Sequence, residues 1–155
     1  MNESFDNEDE VFLKDLPYRL EAGTPNIAGV IGLSAAIEYL SKVGIDNIND
    51  YENKLKSYLI DKLIKLPFVD IINLESDSGI VSFNIDGIFA QDVAYYLNKY
   101  NICVRAGNHC AKILKHAIGI KNTIRVSLYF YNTKEEIDKL VDLLIDKNKI
   151  VNEMI

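Results

Sequence analysis

Residues 103–110 read Cys103-Val104-Arg105-Ala106-Gly107-Asn108-His109-Cys110. Residues Ile102 to Arg105 predict a short strand, and Gly107 is predicted to break it. Cys110 then falls in a loop, where reactive side chains are commonly presented. A thiol attacks only as the thiolate, which a nearby cation favours, and Arg105 and His109 are candidate cations. From these residues alone, Cys110 is either a nucleophile or an inert buried thiol.

The composition fits one globular domain or a piece of a larger protein. The chain has 155 residues, of which 48% are hydrophobic and 26% charged. Its net charge of -6 argues against nucleic acid as a partner, because phosphate binding needs clustered lysine and arginine. Two cysteines do not make a disulfide framework, so we expect a cytoplasmic protein. The apolar run from Ile27 to Leu40 is too short to span a membrane, and no residue cluster predicts a metal site.

The first part of the chain combines an acidic tail, a proline-containing loop and two helices. Residues 1–16 are expected to form a disordered tail, and residues 17–25 a looped segment without helix. Asn26 is predicted to cap a helix over 27–40 that is apolar on nearly every side. Such a helix needs burial on most sides, which indicates a missing partner. A second, amphipathic helix is predicted over 49–66.

The remainder predicts a small sheet covered by helices on one face, an α/β fold of the α+β type. Strands are predicted over 68–73, 80–85, 102–105 and 124–128, and a short helix over 111–118. Two further helices are predicted from the stripes Phe89, Val93, Tyr96, Leu97 and Ile137, Leu140, Val141, Leu144, Ile145. Thr133 and Glu136 fit a capping box at the start of the last helix.

Three ordered stretches carry a family resemblance. They are PYRLEAGTPNIAG over 17–29, VRAGNHCA over 104–111 and IRVSLYFYNT over 124–133. They resemble the glycine–threonine segment, the active-cysteine loop and the substrate-arginine strand of SUF-type cysteine desulfurases. These are pyridoxal phosphate (PLP) enzymes of fold type I in the class-V aminotransferase group. The resemblance implies that residues 17–43 end the large domain and that 44–155 form the C-terminal small domain.

The resemblance also implies roles for individual residues. Cys110 matches the cysteine that attacks the sulfur of L-cysteine, leaving alanine and an enzyme persulfide. Arg125 matches the arginine that binds the substrate carboxylate, a role we extend to Asn26. Gly23 and Thr24 resemble a segment that reaches across a dimer to the PLP phosphate of the other subunit.

The loop around the cysteine departs from the family in two places. Arg105, Asn108 and His109 are expected to organise this loop. Asn108 stands where the family usually has a histidine, although asparagine can still turn the chain by adopting a positive φ. Residues 112–113 replace a stretch that usually contains proline. Cys103 is expected to be a structural residue within the strand.

The lysine that forms the Schiff base with PLP lies, in the family, in a serine-x-histidine-lysine motif. This motif is absent from these 155 residues. We therefore expect the C-terminal part of a cysteine desulfurase, or half of a split enzyme, that is inactive alone. Its expected partners are L-cysteine, a SUF sulfur-acceptor protein of iron–sulfur cluster assembly, and either a second copy or a lysine-containing chain.

Other interpretations stay open at this point. Arg125 also fits an ion pair, and Thr24 fits an incidental neighbour of the helix cap at Asn26. The chain as a whole also fits a selenocysteine lyase-like fragment. A third possibility is a non-catalytic sulfur carrier, or a module that binds a desulfurase through an exposed apolar surface.

Overall fold

The computed structural model describes residues 13–153 and divides the chain into two units, Met1–Val43 and Gly44–Ile155. Residues 1–12 of the predicted tail lie outside the described part. The first unit contains helix α1, Ile27–Val43, which runs three residues beyond the predicted end. The Oδ1 atom of Asn26 accepts a hydrogen bond from the amide of Gly29 at 3.0 Å, which confirms the predicted cap.

The segment before α1 contains one helical turn, contrary to the expectation of no helix there. Tyr18–Leu20 forms a 3-10 turn directly after Pro17. Proline is tolerated at this position because its carbonyl can accept a hydrogen bond, here from the amide of Leu20 at 2.9 Å, while its missing amide is not needed. The apolar side chains of α1 are exposed, with Ile27, Val30, Ile31, Leu33 and Ile37 55–66% accessible.

Within the second unit, residues 44–153 form four strands and five helices. The strands are β1 (Val69–Ile71), β2 (Ile80–Ile85), β3 (Arg105–Gly107) and β4 (Thr123–Ser127), and the sheet order is β1-β2-β4-β3 with antiparallel neighbours. The helices are α2 (Ile45–Leu63), α3 (Ala90–Lys99), α4 (Lys112–Ala117), α5 (Lys134–Leu144) and α6 (Lys147–Glu153). Within residues 13–153, no single helix is long and apolar enough to span a membrane; only α1 and α2 taken together meet the length and composition.

One face of the sheet forms the core and the other carries the polar side chains. Along β2, buried Val81 and Phe83 alternate with half-buried Ser82, as a strand with one buried face requires. Helices α2, α3 and α5 contribute fully buried side chains to this core, including Leu59, Tyr96 and Leu144. Residues 82, 123 and 125 share the opposite face, because Ser82 pairs with Arg125 in the β2–β4 register. The predicted fold, a small sheet covered by helices on one face, is confirmed.

Strand β3 begins three residues later than predicted. The amide of Ile102 donates to the carbonyl of Leu97 at 3.1 Å, and Asn101 has a φ of 60°. This left-handed closure of α3 uses the backbone that the prediction assigned to the strand. Strand pairing therefore begins only at Arg105.

Three helix predictions also need correction. Helix α2 starts at Ile45 rather than Asn49, because Gly44, with a φ of 93°, lets one helix follow another at once. Phe89 precedes α3 and is exposed rather than part of its buried stripe. Ile145 is likewise exposed, because α5 ends at Leu144.

The capping box of α5 is confirmed and gives a stability prediction. Thr133 Oγ1 accepts from the Glu136 amide at 3.3 Å, and Glu136 Oε2 accepts from the Thr133 amide at 3.0 Å. We expect Thr133→Ala to lower the free energy of unfolding by about 1 kcal/mol in urea denaturation, because an amide of the first turn loses its acceptor. Lys139→Ala, an exposed change in the same helix, should stay within about 0.5 kcal/mol. Equal stability of the two variants would contradict the prediction.

Candidate functional site

Cys110 is presented at the tip of a tight turn between β3 and α4. The amide of Ala111 donates to the carbonyl of Asn108 at 2.9 Å, which closes a four-residue turn with His109 and Cys110 at its centre. Both central residues have positive φ, 52° and 59°, as in a type I′ turn. Asn108 does not have a positive φ, so the expectation that it turns the chain in this way was wrong. Cys110 is exposed, which makes its sulfur accessible for reaction.

A buried hydrogen-bond network lies beside this turn. The Nε2 atom of His109 is 2.9 Å from Thr123 Oγ1 and 3.0 Å from the Thr123 carbonyl oxygen. The Nζ atom of Lys115 donates to the same hydroxyl at 2.9 Å and to the carbonyl of Gly107. Lys115 and Thr123 are both buried, and burial lowers the pKa of the lysine. The network joins the residue before the turn to the helix after it.

The surroundings of His109 favour the neutral form of its imidazole. Burial, followed by the charge of Lys115, lowers its pKa from the ordinary value of 6.5, and these effects outweigh the bond to the Thr123 carbonyl. The expectation that His109 supplies a cation to the thiol is therefore corrected. Its contacts instead fit the other expected role, that of organising the loop.

The lowered pKa of His109 predicts a pH-dependent stability. The unfolded chain binds the His109 proton more readily than the folded chain does. The contribution of His109 to the free energy of unfolding is therefore fully present above pH 6.5 and is lost as pH falls toward the lower folded pKa. Unfolding free energies measured in urea should fall between about pH 7.5 and about pH 5.5. His109→Gln should flatten this dependence. Burial raises the pKa of Glu52 above 4.5, so Glu52 changes the stability in the opposite direction, and it does so equally in both proteins. An equally steep fall in both proteins would contradict the assignment.

Arg125 lies at the centre of the polar face of the sheet. It pairs with Ser82 of β2 on one side and with Arg105 of β3 on the other. Its Nε atom is buried and has no hydrogen-bond partner, and no carboxylate within residues 13–153 forms an ion pair with it. A planar guanidinium in this state is suited to a carboxylate that comes from outside the described residues.

A pocket of about 220 Å³ brings several of these side chains together. Its lining includes Arg125, His109, Ala111, Lys115 and Thr123, so the residues on both sides of Cys110 contribute to it. Arg105 is exposed at the edge of the sheet and is not part of the lining. The lining also includes Ile72, Leu114, Ile118 and Ile120, and almost all of its exposed surface is apolar, so the polar groups contribute little of the pocket wall next to the cysteine turn.

The expected site residues of the first unit are all exposed. Gly23 has a φ of 84°, a conformation that favours glycine, and an added Cβ atom would meet nothing within 4 Å. Thr24 is exposed, so its side chain is accessible to solvent. Asn26 uses its Oδ1 atom to cap α1, which leaves its Nδ2 group as a donor.

Cys103 differs from its predicted setting. It precedes β3 rather than lying within it, and it is exposed. It lines a separate cavity of about 320 Å³ with residues of β4 and α5, including Val126 and Leu140. Both cysteines are therefore accessible, and accessibility alone does not distinguish them.

Two residues of the network were not predicted from the sequence. Thr123 lies just before the predicted strand, and Lys115 is not among the expected site residues. Helix α4 buries Lys115 and exposes Ile113 and Leu114, which is the reverse of the usual amphipathic pattern. No periodicity signal could therefore have identified the lysine as a buried residue.

Known proteins share both the sequence and the fold of this chain. Residues 1–140 match the family described as aminotransferase class-V. A cysteine desulfurase of Haloferax volcanii is 40% identical over 133 residues, which are 84% of this chain and 31% of that protein. A probable cysteine desulfurase of Halalkalibacterium halodurans is 44% identical over 127 residues, which are 82% of this chain and 31% of that protein.

Solved structures agree with these relatives. The apo structure of a cysteine desulfurase from Thermococcus onnurineus has a TM-score of 0.83 and 37% identity, over 90% of this chain and 35% of that one. The cysteine desulfurase CsdA from Escherichia coli has a TM-score of 0.85 and 34% identity, over 96% of this chain and 36% of that one. The chain thus spans about a third of the length of the proteins it resembles.

Proposed function

Because this chain belongs to the class-V aminotransferase family, we propose that it is the C-terminal part of a PLP-dependent cysteine desulfurase. In this proposal Cys110 takes sulfur from L-cysteine as a persulfide, and alanine is released. The observation that carries the proposal is the exposed Cys110 at the tip of a turn whose flanking residues line a pocket with Arg125. Sequence identity of 40–44% to cysteine desulfurases supports the choice of reaction.

The residues of the first unit fit a contact with the phosphate of PLP. The exposed hydroxyl of Thr24 and the unhindered backbone at Gly23 can both donate hydrogen bonds to an anion. Lys115 does not fit the role of the Schiff-base lysine, because its amine is buried and bound to Gly107 and Thr123. We therefore propose that Gly23 and Thr24 serve the phosphate of a neighbouring subunit and that the lysine lies outside these 155 residues. When bound, PLP accepts the electron pair released as the C–S bond breaks.

The side chains of this chain bind the substrate and form the new bond. The guanidinium of Arg125 holds the α-carboxylate of L-cysteine with two parallel hydrogen bonds. The thiolate of Cys110 attacks the substrate sulfur, so an S–S bond forms as the C–S bond breaks. The carbon that loses sulfur takes up a proton and becomes the methyl group of alanine.

The exposed turn suits the transfer that follows. A persulfide on Cys110 has to reach an acceptor, and a side chain at an exposed loop tip meets a second protein without unfolding. We propose that the acceptor is a SUF-type sulfur-acceptor protein of iron–sulfur cluster assembly in the cytoplasm. The apolar side chains exposed along α1 support a partner for that helix, either a second copy or the lysine-containing polypeptide.

The proposal is tested by complementation. The purified chain alone should show no PLP absorbance and should release no alanine from L-cysteine. Adding the remaining portion of a related cysteine desulfurase, which carries its lysine, should produce both signals. Turnover by this chain alone would contradict the fragment assignment, and binding to that portion without any activity would favour a non-catalytic binding module. Activity on selenocysteine that does not need Cys110 would favour a selenocysteine lyase-like protein.

A further inference from the structure

We propose that Lys115 is a positioning residue for the cysteine turn, holding His109 and Cys110 in place through Gly107 and Thr123. This rests on the proposed function, because it matters only if Cys110 is the nucleophile. Its physical basis, however, is a buried network that can be tested without any turnover.

The turn that presents Cys110 is strained. His109 and Cys110 are consecutive residues with positive φ and neither is glycine. For residues with a Cβ atom this conformation is unfavourable and persists only where the surrounding structure imposes it. Within the turn, the backbone amide of Ala111 donates a hydrogen bond to the carbonyl of Asn108. Groups outside the turn must therefore supply the rest of the constraint.

Lys115 supplies that constraint from both sides of the turn. Its amine, on helix α4, donates to the carbonyl of Gly107, the last residue of β3. It also donates to Thr123 Oγ1 at 2.9 Å, the hydroxyl that lies 2.9 Å from His109 Nε2. Gly107 and Thr123 are direct partners in the β3–β4 register. One side chain thus ties together the strand before the turn, its neighbouring strand and the helix after it.

The burial of Lys115 has no other explanation within residues 13–153. No carboxylate there forms an ion pair with it, although taking an amine out of water is costly without compensation. The carbonyl of Gly107 and the hydroxyl of Thr123 are the compensating acceptors. Burying a lysine for these two hydrogen bonds is expected where they hold the backbone in a required conformation.

Burial, followed by the charge of Lys115, lowers the pKa of His109 and so favours its neutral imidazole. The groups that face His109 are Lys115 from α4, Arg125 from β4 and Arg105 from β3, all of them cationic. Together with burial they lower the pKa of His109, which favours the neutral ring bound to Thr123. These cationic groups would repel a protonated His109 ring toward solvent, and the turn that contains His109 would move with the ring.

The test compares three variants of the full 155-residue chain by NMR. Lys115→Met removes both the donors and the charge, Lys115→Gln keeps N–H donors without the charge, and Lys112→Gln is the control at an exposed position of the same helix. The readouts are the exchange rate of the Ala111 amide, the ¹³Cα shifts of residues 109 and 110, which report φ, and the titration midpoint of His109. The chain has only two histidines, so the His109 signal is easily assigned.

The expected results separate the two contributions of the lysine. Lys115→Met should speed exchange of the Ala111 amide about tenfold or more, shift the ¹³Cα signals away from left-handed values and raise the His109 midpoint by about half a unit. Lys115→Gln should leave the exchange rate of the Ala111 amide within about threefold of that in the original chain. It should raise the His109 midpoint by the same amount as Lys115→Met does. Lys112→Gln should change neither.

Unchanged exchange and an unchanged midpoint in Lys115→Met would overturn the proposal. If that variant does not fold, the midpoint in Lys115→Gln decides, and an unchanged value there overturns the proposal too. The outcome is independent of turnover. A chain that passes this test yet never forms a persulfide on Cys110 would refute the proposed function and leave the positioning role intact.

Discussion

Replacing Cys110 by alanine should lower alanine release from L-cysteine on the order of a thousandfold or more in the complemented enzyme. The thiolate is the group that forms the S–S bond, and without it no sulfur acceptor is present at the turn. Cys110→Ser should be as inactive, because a hydroxyl at this position is a far weaker nucleophile toward sulfur. The measurement is the rate of alanine formation, together with mass spectrometry of the chain for the added sulfur atom.

Cys103 provides the matched control. Both cysteines are exposed, so a general loss of accessible thiols would affect them equally. Cys103→Ser should keep alanine formation within about twofold, because Cys103 lies before β3 and outside the turn that presents Cys110. Persulfide on Cys103 instead of Cys110, or activity in Cys110→Ala, would refute the assignment of the nucleophile.

Much of the second unit could be predicted from periodicity because its core residues alternate regularly. Val81, Phe83 and Ile85 repeat every second residue in β2, and all are buried. The start of β3 could not be predicted in the same way. Ile102 and Val104 have the composition of a strand, but the backbone of Ile102 completes the closure of α3. A contact between the end of one element and the start of the next has no signature in side-chain patterns.

Some features of the candidate site could likewise be predicted from the sequence and others could not. The resemblance pointed to Cys110 and Arg125 by position. The structure gives Cys110 an exposed turn tip and leaves the buried Nε atom of Arg125 without a hydrogen-bond partner, and both features are consistent with the proposed roles. The left-handed conformation was expected at Asn108, which tolerates it best, yet it occurs at His109 and Cys110. Local preference was overridden there by the buried contacts of Lys115, a residue whose neighbours in sequence are more exposed than it is.

Arg125 gives the second large expected effect. Arg125→Ala should raise the KM for L-cysteine about 100-fold or more in the complemented enzyme, because two charge-assisted hydrogen bonds to the carboxylate are lost. Arg125→Lys should recover only part of this, since an ammonium cannot form the parallel pair of bonds. Arg105→Ala removes the neighbouring arginine in register on β3 and should raise the KM less than about tenfold.

Stability measurements on the same variants decide between a substrate-binding arginine and a structural one. A structural arginine would have its buried nitrogens paired, and its removal would leave a partner unsatisfied and destabilise the fold. The Nε atom of Arg125 is buried without a partner, so its removal eliminates an unsatisfied group. We therefore expect Arg125→Ala to keep the free energy of unfolding within about 1 kcal/mol in urea while the KM rises steeply. Marked destabilisation with an unchanged KM would show that Arg125 serves the sheet, and the carboxylate would need another ligand.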